Sequence, residues 1–173
     1  MRALTLYQPW ATAIAIGSKR IETRSWRTDY RGLLAIHASK KCDCHEIDYM
    51  MCCWHMDAAL SPLGGTMTPG ARHWSKILTF GAIVGVVNLV GCLPTSSFTN
   101  GELNAKRYHI SNRPESGVWT ENQMGDFSMG RYGWRLENPR RLLTPIPCRG
   151  YQQIWHLTSD DEAKVLDQLK NGG

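Results

Sequence analysis

The sequence predicts an α+β domain, a small mixed-sheet barrel decorated with helices, and three observations lead there. Short alternating or β-branched runs recur in distant parts of the chain. Only two or three segments have helical spacing. The connections between them are long and glycine-rich, unlike the regular alternation of a βαβ repeat. At 173 residues and 42% hydrophobic, the chain suits a single domain over 1–173 with core enough to fold without cross-links. Its 20% charged content excludes a disordered or coiled-coil chain, and no internal repeat is visible.

The elements follow in order. Residues 3–7 alternate as a strand. Gln8-Pro9 opens a short helix whose Trp10, Ala13 and Ile14 share a face, and Gly17 stops it. Residues 21–26 read as a strand that places Glu22, Arg24 and Trp26 on one face and Thr23 on the other. After a turn at 29–32, residues 33–38 form an apolar strand buried on both sides, with His37 its one polar side chain. A helix is expected over 43–60, striped by Ile47, Met50, Met51, Trp54 and Ala58, then a surface loop over 61–70.

The stretch 77–92, broken by Gly81, Gly85 and Gly91, favours one or two bent strands over a buried helix. Residues 94–128 are irregular, but Trp119 within them calls for burial. Residues 130–137 alternate, with Tyr132, Trp134 and Leu136 on one face. Residues 142–147 suggest a proline-bearing edge strand and 153–155 a last strand. Ser159-Asp160-Asp161-Glu162 reads as a capping box opening a C-terminal helix over 159–171, outside a core of about 3–157.

Charge is unevenly placed. The net charge is +5, and residues 1–41 hold eight Lys/Arg against two acids while the other 132 residues are nearly balanced. A second basic stretch, Arg131, Arg135, Arg140, Arg141 and Arg149, is accompanied by Glu137 alone. Brought together, the two stretches would make a phosphate-attracting surface; apart, they are a solvated basic face. Arginines outnumber lysines thirteen to seven, and a planar guanidinium suits phosphate oxygens and base stacking.

No apolar run approaches the roughly 18 residues of a membrane span, and Gln8-Pro9 interrupts the only stretch resembling a leader. Reduced cysteines and a cytoplasmic location are expected. Cys42, Cys44, His45, Cys52, Cys53 and His55 suggest zinc by composition, but Cys-x-Cys and adjacent Cys-Cys spacing do not suit tetrahedral ligation. No metal and no cofactor are expected, and no phosphate-loop, dinucleotide or Ser-His-Asp motif is present.

Tyr7-Gln8-Pro9-Trp10, followed by Gly17-Ser18-Lys19-Arg20-Ile21-Glu22-Thr23-Arg24, resembles the ASCH domain and its Gly-x-Lys-x-x-Glu-x-Arg pattern. Arg31-Gly32, Ile36-His37-Ala38, the 80–84 strand and Gly130-Arg131-Tyr132-Gly133-Trp134 extend the resemblance over about 3–157. It implies a PUA-like β-barrel with a cleft that binds RNA or another nucleic acid. In some branches it also implies ribonuclease activity or deacylation of an N-acylcytidine. The deacylase pattern has Thr three residues after its Lys, where this chain has Glu22, so a ribonuclease is the preferred enzymatic alternative.

The candidate nucleic-acid-binding residues are Gln8, Trp10, Lys19, Arg24, Trp26, Arg131, Tyr132 and Arg135. The cations would meet phosphate and the rings would stack a base. Lys19, Glu22 and His37 are the catalytic candidates, as cation and general base for RNA cleavage. The partner is then RNA, another nucleic acid or a modified nucleoside. The competing reading makes Glu22 and Arg24 an internal ion pair that closes the barrel, with Trp10 and Trp26 as core, and the basic face meeting an acidic protein.

Overall fold

The computed structural model describes residues 1–42, 47, 54–63, 77–106 and 119–171. Strand β1 (Arg2–Leu6) runs parallel to β3 (Gly32–Ala38) and antiparallel to β6 (Ile154–His156). Strand β4 (Ala82–Pro94) pairs antiparallel with β3 and with β5 (Tyr132–Pro147), and β2 (Ile21–Arg24) adds to the far side of β5. The order β2-β5-β4-β3-β1-β6 makes one mixed six-stranded sheet, the predicted barrel realised as a half-barrel with β2 and β6 as its two edges. The described helices are α1 (Trp10–Ala15), α2 (Trp54–Leu60), α3 (Asn100–Leu103), α4 (Glu121–Met124) and α5 (Ser159–Asn171). None is long and apolar enough to cross a membrane.

The period-two pattern of the central strands explains why both sheet faces are covered. Leu4, Leu6, Leu34 and Ile36 join Ile14 of α1 and Trp134 in the inner core, while Ala3, Ala35, Ile83 and Val86 pack with Leu142, Ile146 and Val165 of α5 on the other face. Helix α1 is enclosed, since Ala11 to Ala15 are all buried, and two devices seat it. Gln8 holds both ends of its carboxamide occupied: Oε1 accepts from the Thr12 N–H at 3.1 Å and Nε2 donates to the Thr79 carbonyl at 2.7 Å. Gly85 lets the helix approach β4, where a Cβ would lie 2.7 Å from Ala15 Cβ. Gly17, at φ +84°, then turns the chain out of the helix.

Several expectations are refined. Strand β2 ends at Arg24, so Trp26 lies beyond it. The 77–92 stretch becomes one strand from Ala82 with register shifts near Gly85 and Gly91. The segments 130–137 and 142–147 are one strand of 16 residues. Its second half pairs with β4, whereas β2 pairs only over Tyr132–Arg135, which leaves that half a locally open edge able to carry Pro145 and Pro147. The terminal helix is capped one residue earlier than the sequence pattern suggests: the Asp161 N–H donates to Thr158 Oγ1 at 3.2 Å, and that hydroxyl donates to Asp161 at 2.9 Å. Among the described residues of 94–128 short helices are present, and Trp119 is buried there with its indole N–H on the Ser18 carbonyl at 2.8 Å. Of the helix expected over 43–60, Ile47 and 54–60 are described and helical. Met50, Met51 and most of the 61–70 loop lie outside the described residues.

The α1–β4 approach is testable. Gly85→Ala would place a methyl against Ala15 and 3.0 Å from the Arg140 carbonyl, and should cost about 1–3 kcal/mol by overpacking, read as a lower urea midpoint with an unchanged slope.

Candidate nucleic-acid interface

The turn after Gly17 directs Lys19 inward. Its N–H donates to the Ala13 carbonyl at 3.1 Å, and its side chain is only 1% exposed. The ammonium donates to the Ile21 carbonyl and sits 3.5 Å from Glu22 Oε2. The other carboxylate oxygen of Glu22 lies 3.1 Å from Arg24 Nε, too poorly aligned for a hydrogen bond but within ion-pair range. Arg24 then reaches across the barrel, where Nη2 donates to the Thr5 carbonyl of β1 at 3.2 Å. Two cations therefore share one buried carboxylate, leaving a surplus positive charge. Arg24, 27% exposed, is the member through which that charge meets the surface. Beneath this turn the buried Glu121 carboxylate accepts from the Arg20 and Ile21 N–H groups at 2.7 and 3.2 Å, fixing the loop from below.

Among the described residues, two clefts open beside this network and a third adjoins one of them. One, of about 360 Å³, has Glu22 and Thr23 against Trp10 and the segment 123–126. Arg131 braces its rim, bonding the Asp126 carboxylate at 3.2 Å and the Thr23 carbonyl at 3.4 Å. Hydrogen bonds from Ser128, then the Arg131 guanidinium, hold the Asp126 carboxyl below the usual range. The second cleft, of about 600 Å³, is lined by Arg24, Trp26, Tyr7, Arg149 and Tyr151. The third, of about 650 Å³, has His37, Lys40, Lys41, Phe80 and Arg149 in its wall. These last two share Thr5, Ser39, Arg149 and Gly150, and so adjoin as one groove. Among the described residues, its walls carry four cations and no carboxylate. The Lys41 ammonium lies 5.9 Å from the Tyr7 ring centre and the Arg149 guanidinium 5.4 Å from that of Tyr151.

Lys19, Glu22 and Arg24 thus come together as the sequence pattern suggests, and Trp26 lines the same cleft as Arg24 while meeting the buried Trp134 edge-on at 4.6 Å. Trp10 stands over the Glu22 cleft. Tyr132 is half-buried against the inner core, opposite Arg24 in the β2–β5 register. Arg135 points to Glu102, 2.8 Å away, over the Phe98 ring. Gln8 is buried and committed to α1, and Arg131 to the rim.

His37 does not line the Glu22 cleft. It is buried, with Nε2 3.2 Å from the Cys148 carbonyl and its ring edge toward Trp155 at 5.8 Å. Burial pushes its pKa below the ordinary value of 6.5, so the neutral ring donates to that carbonyl. Of the cysteine–histidine cluster, only Cys42 has a described side chain, and it is half-buried. Cys44, His45, Cys52, Cys53 and the His55 side chain lie outside the described residues. Among the described residues no three His, Cys, Asp or Glu gather around a metal-sized point.

Lys40, Lys41 and Arg149, with Tyr7 and Tyr151, escaped the candidate set. Their signal in the sequence was basic charge and, for Arg149, the nearby Tyr151, but nothing in the sequence order shows that 39–41 and 149–151 face one another.

Two outcomes follow from this network and from His37. Glu22→Gln leaves the buried Lys19 ammonium without its counter-ion and should cost about 3–5 kcal/mol in urea denaturation, whereas Lys19→Met/Glu22→Gln should cost less than the two single changes together. For His37 the unfolded chain takes up the proton first. Stability should therefore hold above about pH 6.5 and decline as pH falls from there toward the lower folded value, and His37→Gln should flatten that decline.

The chain can now be set beside known proteins. The family model described as the ASCH domain matches residues 4–155. Over 173 residues the sequence is 26% identical to Activating signal cointegrator 1 of Homo sapiens and 25% to that of Mus musculus, in each case across 98% of this chain. It spans about a quarter of the length of these curated relatives, 24% of each. Among solved structures, the crystal structure of ASCH from Zymomonas mobilis covers 96% of this chain and 93% of its own at 13% identity and a TM-score of 0.48. A mutant of ZmASCH from the same organism aligns at 0.49, again with 13% identity, over 96% of both chains. With the match running through the Lys19–Glu22–Arg24 network and all of the sheet except the first two residues of β1 and the last of β6, the chain belongs to the ASCH domain family.

Proposed function

We propose that this chain binds nucleic acid, with RNA or a modified nucleotide as its ligand, along the groove between Arg24 and Lys41. One observation carries the reading: Arg24, Lys40, Lys41 and Arg149 converge on one concave surface whose described walls hold no carboxylate. Cations so placed neutralise backbone phosphates and release counterions. Trp26, Tyr7 and Tyr151 add flat surfaces at the same groove on which an unstacked base can lie. The shared carboxylate of Glu22 strengthens the case, because it leaves Arg24 only half neutralised at the groove wall. Membership of the ASCH family, whose resemblance already implied RNA, points the same way. An acidic protein partner would also be drawn to the cations but would make no use of the rings.

Cleavage of RNA is less well supported. The Lys19 ammonium is enclosed and engaged, and His37 lines a different cleft from Glu22, so the three candidate catalytic groups do not converge on one reacting atom.

The test is fluorescence anisotropy with a labelled single-stranded RNA over a range of salt. Affinity should fall steeply with salt, and Arg149→Ala, at an exposed position, should weaken binding and reduce the logarithmic salt slope by about one. Tyr151→Ala should weaken binding by about 1–3 kcal/mol with the slope unchanged. Salt-independent affinity, or no change in either variant, would overturn the reading.

A further inference from the structure

The groove has two compartments, and the divide between them is specific. On one side are Arg24, Trp26, Tyr7 and Tyr151; on the other Lys40, Lys41, Phe80 and Pro147. Each compartment alone, at about 600 and 650 Å³, lies within the roughly 300–1,000 Å³ that accommodates one small-molecule-sized unit. Each has its own cation and its own ring or apolar wall. Arg149 is the one charged residue lining both, alongside Thr5, Ser39 and Gly150.

Gly150 stands between them without a side chain: a Cβ there would fall 2.5 Å from Nδ1 of the buried His37 and 2.8 Å from Thr5 Oγ1. Thr5, Ser39 and Arg149 line both compartments beside it, and the Arg149 guanidinium can grip a phosphodiester with two donors at once.

Resting on the reading of this groove as a nucleic-acid interface, we infer that it seats two consecutive nucleotides, one per compartment. Arg149 holds the phosphate that joins them, and Lys40 and Lys41 hold the next phosphate along. The first nucleotide's base lies among Trp26, Tyr7 and Tyr151, and the second against Phe80. Two adjoining subsites on one rigid wall act as linked binding sites, so the second unit adds affinity without a second encounter. Because each base enters a recess, the bases must be unpaired.

The test titrates the ¹⁵N-labelled full chain with adenosine 5′-monophosphate, with the 5′-phosphorylated adenylate dinucleotide and with an eight-residue oligoadenylate. The dinucleotide should bind at least tenfold tighter than the monophosphate and shift amide signals at both 24–26 and 39–41. Lys40→Ala/Lys41→Ala, at exposed positions, should shrink that gain to less than threefold while the protein's spectrum stays that of the folded parent. A gain that survives in the double variant overturns the two-compartment inference, as does a dinucleotide that binds no tighter than the monophosphate while the octamer still binds. An octamer that fails to bind the parent at low salt overturns the interface reading itself and the inference with it.

Discussion

The sharing of one buried carboxylate by two cations is what the shape of this molecule depends on. In the sheet order, β2 and β1 are separated by three strands, and no backbone ladder joins them. The side chain of Arg24 spans that opening to the Thr5 carbonyl, and Glu22 fixes the guanidinium at its root. A half-barrel is thus drawn toward closure by a side chain instead of by hydrogen-bonded strands. Buried charges are costly to desolvate, and a pair of them is weak evidence for stability. Here the pair does geometric work: it aims a cation at a groove and fixes the angle between two sheet edges.

The rest of the structure serves that placement. Helix α1 is short and enclosed, held by Gln8 at one end and pressed against Gly85, so the turn that follows it delivers Lys19 to a single position. Glu121 and Trp119, from a region without regular pattern, grip the same turn through its backbone. Residues read as nucleic-acid contacts divide accordingly. Arg24 and Trp26 face the groove, whereas Gln8, Arg131 and Arg135 are occupied in holding elements that shape it.

Much of the fold was legible locally. The alternation of 3–7 and of 21–26, two residues longer than the strand it marks, the apolar run 33–38 of the doubly buried β3, and the proline and glycine that bound α1 all follow from side-chain period and turn chemistry. The barrel-closing ion pair was legible too, because a strand puts Glu22 and Arg24 on one face. Long-range pairing was not. Nothing local says that β1 lies parallel to β3, or that 130–137 continues through Asn138 at positive φ and Pro139 into 142–147 as one strand. The cap was displaced by one residue: the Thr158 hydroxyl takes the Asp161 N–H, while Glu162 pairs with the amino group of Met1. The groove was half legible for a similar reason: Arg24 belongs to a motif, while Lys40, Lys41 and Arg149 become partners only after the sheet is assembled.

The position of β1 sets the order in which these parts can come into being. Its residues pair with β3 on one side and with β6 on the other, Arg2 facing both Leu34 and His156. While the ribosome is still making the chain, β1 and β3 can meet early, but one edge of β1 must wait, its N–H and C=O groups unpaired, until residues near 156 emerge. The wall from Arg149 to Gln153 that completes the groove is made just before those residues. Contacts so distant along the chain fold slowly, and the cationic surface gains its second side only once residues 149–153 have been made, so a chain that stops short of them has one wall where the folded chain has two.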